Sequence, residues 1–169
     1  MSNPDPGTLQ QRLLAAAAQQ PAQPLGTTLA WEALVTIAPR QALGHGPLGE
    51  RFIIPITGGR FQGGPAHADL HGQVLPGGAD RQLWRPDGVR ELDAFYEMQH
   101  DDGTVITIRN RVLIDDPAGG PRYACSQVQA TAPAGPHAWL NRRVLVGSLH
   151  PLPPEQAAVL IRVWLLGAP

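Results

Sequence analysis

The sequence predicts an all-β protein, an antiparallel up-and-down β-barrel of about eight to ten strands behind a short N-terminal helix. Three observations lead there. Beyond residue 25, apolar and polar residues alternate with a period of two over most of the chain. The alternating segments are short and separated by turn clusters such as Pro76-Gly77-Gly78, Pro86-Asp87-Gly88 and Asp101-Asp102-Gly103. Such residues supply fixed φ, positive φ or local side-chain bonding. At 169 residues, 43% of them apolar, the chain suits one enclosed core.

The elements follow in order. Met1 to Gly7 reads as a loose terminus, and Thr8 as the cap of a helix that runs to about Gln20. Leu9, Leu13 and Ala16 give that helix a thin apolar stripe, which could close a barrel end or meet a second subunit. Residues 1–25 are therefore helix and linker, and 26–169 the barrel domain. Leu29, Trp31, Ala33, Val35 and Ile37 share one face of the first strand, and a second runs from Arg51 towards Thr57. Further strands are expected at Ala68–Leu75, Asp80–Trp84, Arg90–His100, Thr104–Ile114, Tyr123–Gln129, Ala138–Gly147 and Ala158–Leu166. Asp101-Asp102-Gly103 between two long strands is a hairpin signal.

Charge excludes several functions. Thirteen basic and fourteen acidic residues leave a net charge of −1, which disfavours a nucleic-acid partner and gives no attraction to a membrane surface. No segment has the length of about 20 apolar residues that a spanning helix needs. The single cysteine, Cys125, forms no internal disulfide, so a cytoplasmic setting is expected. Phosphate loops, dinucleotide fingerprints and nucleophile elbows are missing, and no cofactor is expected. His67 and His71 are too far apart along a strand for an easy shared metal, so no metal ligands are assigned.

The string VLPGGADRQLWRPDGVRELDAFYEMQHDDGTVITIRNR, with PITGGRFQG upstream and WLNRRVLVG downstream, resembles the domain of unknown function 3237 family over about Ala30 to Leu166. The resemblance implies a calycin-like (lipocalin-like) antiparallel barrel, often a homo-oligomer, with no established activity. The family pattern commonly places Trp after GGAD and Arg before the strand Tyr; here those positions hold Arg81 and Phe95.

Candidate chemistry centres on the strands from Asp80 to Ile114. Asp80 follows a glycine turn, where a partly desolvated carboxylate could act as general base. Asp93 could stand opposite Arg109 across the hairpin, either as an outer ion pair or as an inward pair facing an anion. Tyr96 could protonate a ligand oxygen. Trp139 and Asn141, on one strand face, would offer an aromatic platform beside an amide. His71 and His100 are possible acid/base groups near neutral pH. Together these point to a barrel binding a small carbonyl-bearing or aromatic molecule. If it is an enzyme, it is a cofactor-free isomerase, lyase or cyclase: Asp80 or Asp93 as base, Tyr96 as donor, Arg109 and Asn141 steadying an oxyanion. A non-catalytic carrier or sensor, and a structural homo-oligomer, are the rival readings. Which face of residues 90–114 looks inward decides among them.

Overall fold

The computed structural model describes residues 6–167, so the loose terminus expected at Met1 to Gly7 lies largely outside them. A helix α1 (Pro6–Gln19) precedes ten strands: β1 (Thr27–Ile37), β2 (Gln41–Gly46), β3 (Gly49–Gly63), β4 (His71–Val74), β5 (Ala79–Trp84), β6 (Arg90–His100), β7 (Val105–Asp115), β8 (Tyr123–Thr131), β9 (Leu145–Pro151) and β10 (Ala158–Leu166). All pairings are antiparallel, and β1 pairs with both β10 and β3, which closes the sheet into a barrel of eight staves. One stave is broken: β4 and β5 lie end to end between β3 and β6.

β3 makes that break possible. Its first half pairs with β2 and β5, its second half with β1 and β4. The change of partners runs from Pro55 to Gly59, and Gly58 and Gly59 within it have φ of 144° and 145°. A Cβ on Gly59 would stand 2.0 Å from the Leu34 carbonyl oxygen, so only glycine lets β1 approach this bend. Pro55, a residue that sheets confine to edges and bulges, opens the same stretch.

The period-two pattern sorts the faces. On β6, Leu92, Tyr96 and Met98 are buried while Glu91 and Phe95 are exposed; on β7, Ile106, Ile108, Asn110, Val112 and Ile114 are buried. These residues, with Trp31, Val35, Phe61, Ile161 and Val163, form the core inside the barrel. One end is packed shut by Leu70, Met98, Ile106 and Leu140, under two 3₁₀ turns at Pro65–His67 and Ala138–Arg142. His67 and Trp139 stack at 4.7 Å and join the two turns.

Three expectations change. Helix α1 starts at Pro6, ahead of Thr8, and its Leu9, Leu13 and Leu14 are exposed, so it does not close a barrel end. Gln41–Gly46, whose glycines suggest a loop, is a strand that extends past the barrel on β3. Residues 138–142 form a 3₁₀ turn instead of a strand, and β9 starts only at Leu145. No helix among the described residues is long and apolar enough to cross a membrane.

Candidate functional site

The end of the barrel opposite the packed turns is hollow. A cavity of about 250 Å³ is bounded by Val35, Ile37, Ile56, Leu92, Val112 and Ile161, with Arg90 and Arg122 among the residues around it. Its walls are mostly aliphatic, yet Asp80, Gln82, Tyr96 and Asn110 also reach it.

The register explains why they meet. Ile54, Asp80, Ala94, Asn110 and Val128 lie in one cross-strand row on β3, β5, β6, β7 and β8. Asp80 and Asn110 are thus two strands apart, about 10 Å between backbones. Ala94, the smallest side chain in the row, leaves the space between them open. Tyr96 faces the same way two residues further along β6. Gly78 makes the approach possible, since a Cβ there would lie 2.5 Å from Tyr96 Cβ.

Three buried polar atoms of residues that line this cavity have no hydrogen-bond partner among the described residues: Asp80 Oδ1, Tyr96 Oη and Asn110 Oδ1. The other Asp80 oxygen is held. Trp84 Nε1 donates to Gln82 Oε1 at 3.0 Å, and Gln82 Nε2 donates to Asp80 Oδ2 at 2.6 Å. Indole can only donate, so it fixes which end of the Gln82 amide faces the carboxylate. Trp84 is itself anchored, with Phe52 at 4.9 Å and the Arg40 guanidinium 4.4 Å from its ring. Burial pushes the Asp80 carboxyl up to about 6, against the opposing pull of Gln82 and the Asp93 backbone. Burial also pushes the Tyr96 phenol well above its ordinary value, which keeps it protonated.

The remaining predicted residues lie elsewhere. Asp93 and Arg109 face outward, with side chains 39% and 43% exposed, and make a two-pronged ion pair at 2.9 and 2.7 Å. The arginine's hydrogen bonds hold Asp93 below the usual carboxylate range, against a general-base role in the cavity. The inward arrangement is therefore replaced by the outer one, because β6 and β7 turn their Leu92/Tyr96 and Ile108/Val112 faces to the core. Trp139 and Asn141 belong to the 3₁₀ turn at the packed end. Asn141 spends its amide on the Ala132 backbone, accepting from N at 2.9 Å and donating to O at 2.8 Å. His71 faces out beside Asp101 at 3.0 Å. His100 faces the packed end, where Asp69 O lies 2.7 Å from its Nε2. Burial alone would lower its pKa, but that carbonyl and Asp102 outweigh it, and the net shift is upward. Of the predicted set, only Asp80 and Tyr96 line the lumen. Arg81 and Phe95, the departures from the family pattern, both point away from the cavity.

Asn110 and Gln82 were missed. Asn110 had a signal, as the one amide in the inward register Ile106, Ile108, Val112 and Ile114. A larger depression of about 1580 Å³ lies on the outer wall near Leu48, Arg81, Leu113 and Tyr123. It is broad and mostly lined by outward residues, so the smaller lumen is the better candidate for chemistry.

The chain's similarities agree with this architecture. A UPF0311 protein of Clostridium acetobutylicum is 46% identical over 63 residues, 37% of each chain. One of Rhodopseudomonas palustris is 47% identical over 62 residues, 37% of this chain and 38% of that one. These alignments thus span little more than a third of the relatives they match. The crystal structure of a conserved protein of unknown function from R. palustris superposes with a TM-score of 0.77 at 29% identity, covering 86% of this chain and 99% of that one. A β-barrel-like protein of Acinetobacter baumannii gives 0.75 at 28%, covering 88% and 99%. An enzyme from Penicillium herquei shares the fold, with a TM-score of 0.67 at 21% identity, covering 86% and 96%. The model of the family described as "Protein of unknown function (DUF3237)" matches residues 26–166, the whole barrel, and this chain belongs to that family.

Proposed function

We propose that the barrel binds a small aromatic or carbonyl-bearing molecule in its lumen and performs cofactor-free acid/base chemistry on it, as an isomerase, lyase or cyclase. The observation that carries this is the convergence of three buried polar atoms without partners, Asp80 Oδ1, Tyr96 Oη and Asn110 Oδ1, on one mostly aliphatic cavity. Leaving such atoms unsatisfied costs about 1–3 kcal/mol each, and a ligand that pairs with them recovers that cost.

The roles follow from the environments. With a carboxyl pKa of about 6, Asp80 is largely ionised at neutral pH yet more basic than an ordinary carboxylate, which suits proton abstraction beside a carbonyl. Tyr96 stays protonated and is the donor to the developing oxyanion. Asn110 orients the ligand through its amide. Arg90 and Arg122 suit a ligand that also carries a phenolate or carboxylate. A barrel of the same fold in P. herquei is described as an enzyme, so the scaffold is compatible with catalysis.

The test is proton exchange. Aryl ketones such as 2-tetralone are incubated in D₂O with the protein, and loss of the α-proton signal is followed by NMR. The wild type should accelerate exchange over buffer, and Asp80→Asn should lose the acceleration. Binding by both proteins without acceleration would replace this reading with that of a carrier.

A further inference from the structure

His100, Asp102 and His137 come from two parts of the chain that meet only in the fold. His100 ends β6 and Asp102 lies in the β6–β7 turn, while His137 precedes the 3₁₀ turn between β8 and β9. One donor atom from each of the three residues lies within 4.8 Å of the others. His100 Nδ1 is 2.9 Å from Asp102 Oδ1, and His137 Nε2 is 3.3 Å from Asp102 Oδ2. We propose that these three side chains form a divalent-cation site, of the kind that zinc occupies, which braces the packed end of the barrel.

Two features argue for a cation over a simple cluster of polar residues. The Asp69 carbonyl lies 2.7 Å from His100 Nε2 and takes its hydrogen. That leaves Nδ1 of the neutral ring as a lone pair, turned towards a carboxylate oxygen at 2.9 Å. Two lone pairs at that distance repel unless a positive charge sits with them, whether a second proton on the ring or a bound cation in that proton's place. The Asp102 amide donates to Nδ1 at 3.1 Å, a contact that a bound ion would replace. A backbone carbonyl on the far nitrogen of an imidazole is also the arrangement that fixes the tautomer of a metal-bound histidine.

The second feature is burial. The His137 side chain is only 5% exposed and its Nε2 faces the same carboxylate, while Asp102 is 42% exposed and leaves room for water on the open side. Two imidazole nitrogens and a carboxylate suit zinc, whose ligands lie at about 2.0–2.2 Å and therefore about 3.3–3.6 Å from one another. The two spacings to the carboxylate, 2.9 and 3.3 Å, lie close to that. The Thr104 amide already holds Asp102 Oδ1 at 2.7 Å, so the carboxylate is positioned before any ion arrives.

This site is separate from the lumen: His100 and Arg90 stand at opposite ends of β6. The full chain, first freed of metal with a chelator, is titrated with Zn²⁺ by calorimetry and with Co²⁺ by absorption. The wild type should bind one equivalent and gain in Tm. His100→Ala and Asp102→Asn should each weaken binding at least about tenfold and remove the Tm gain, since even the groups that orient metal ligands are worth about 10–100-fold. Asp102→Asn keeps an oxygen for the Thr104 amide, so the turn survives; His137→Gln is the matching change at the buried position. His45→Ala, on β2, should bind as the wild type does. No binding by the wild type, or binding that survives His100→Ala and Asp102→Asn together, overturns the proposal and leaves an ion-pair network.

Discussion

Gln82 donates its amide N–H to Asp80 at 2.6 Å while accepting from the Trp84 indole at 3.0 Å. The only carboxylate that lines the lumen among the described residues is thus tied, through two side chains, to the aromatic cluster of Trp84, Phe52 and Arg40. One oxygen is fixed and the other is left for a ligand.

The first consequence concerns stability. Asp80 is raised from 3.8 to about 6 by burial, so the folded protein holds its proton more tightly than the unfolded chain does. Between those two values the folded state binds more protons, and stability falls as pH rises through that window. Ionised Asp80 therefore costs up to about 3 kcal/mol at neutral pH. Asp80→Asn should raise stability at pH 7 by a substantial part of that, and by little at pH 4. Urea unfolding at the two pH values measures it.

Removing the donor should move the carboxyl further. Gln82→Leu deletes a hydrogen bond that favours the charged form, so the Asp80 carboxyl should titrate above about 6. Trp84→Phe keeps the ring stack but frees the amide to turn, and should shift it less in the same direction. Carboxyl-carbon NMR of the variants reads both.

The outer hairpin pair should matter little. Asp93→Asn or Arg109→Gln removes an exposed ion pair, and such pairs are worth about 0.2–1 kcal/mol. Proton exchange of the ketone probes should be unchanged. A large loss of exchange in either variant would place the chemistry on the outer wall.

Filling the row between Asp80 and Asn110 should empty the site of function. Ala94→Leu puts a larger side chain into the lumen, at a cost of about 1–3 kcal/mol for overpacking. Thermal shifts produced by ligands of the wild type should vanish in this variant while its circular dichroism stays that of the barrel.

The architecture was legible because period two is a local signal. Arg90–His100 and Ala158–Leu166 were read with the bounds that the structure gives. Gln41–Gly46 and residues 138–142 were not, because glycines do not alternate in polarity and because Trp139 and Asn141 mimic a strand face while serving a turn. The site was half legible. Asp80 stood out beside its glycines, and Tyr96 in its alternation, but inside and outside could not be told apart on β6, where Asp93 and Glu97 alternate with Ala94, Tyr96 and His100. Only the closure of β1 on β3 decides that. His100, Asp102 and His137 were invisible as a group, since their proximity depends on the β8–β9 connection folding over the β6–β7 turn.

The most direct measurement is the titration of the Asp80 carboxyl carbon by NMR in the wild-type protein, assigned by its loss in Asp80→Asn. A desolvated base in the lumen should give a midpoint near 6. A midpoint at or below about 4, the ordinary range of an exposed aspartate, would contradict the account.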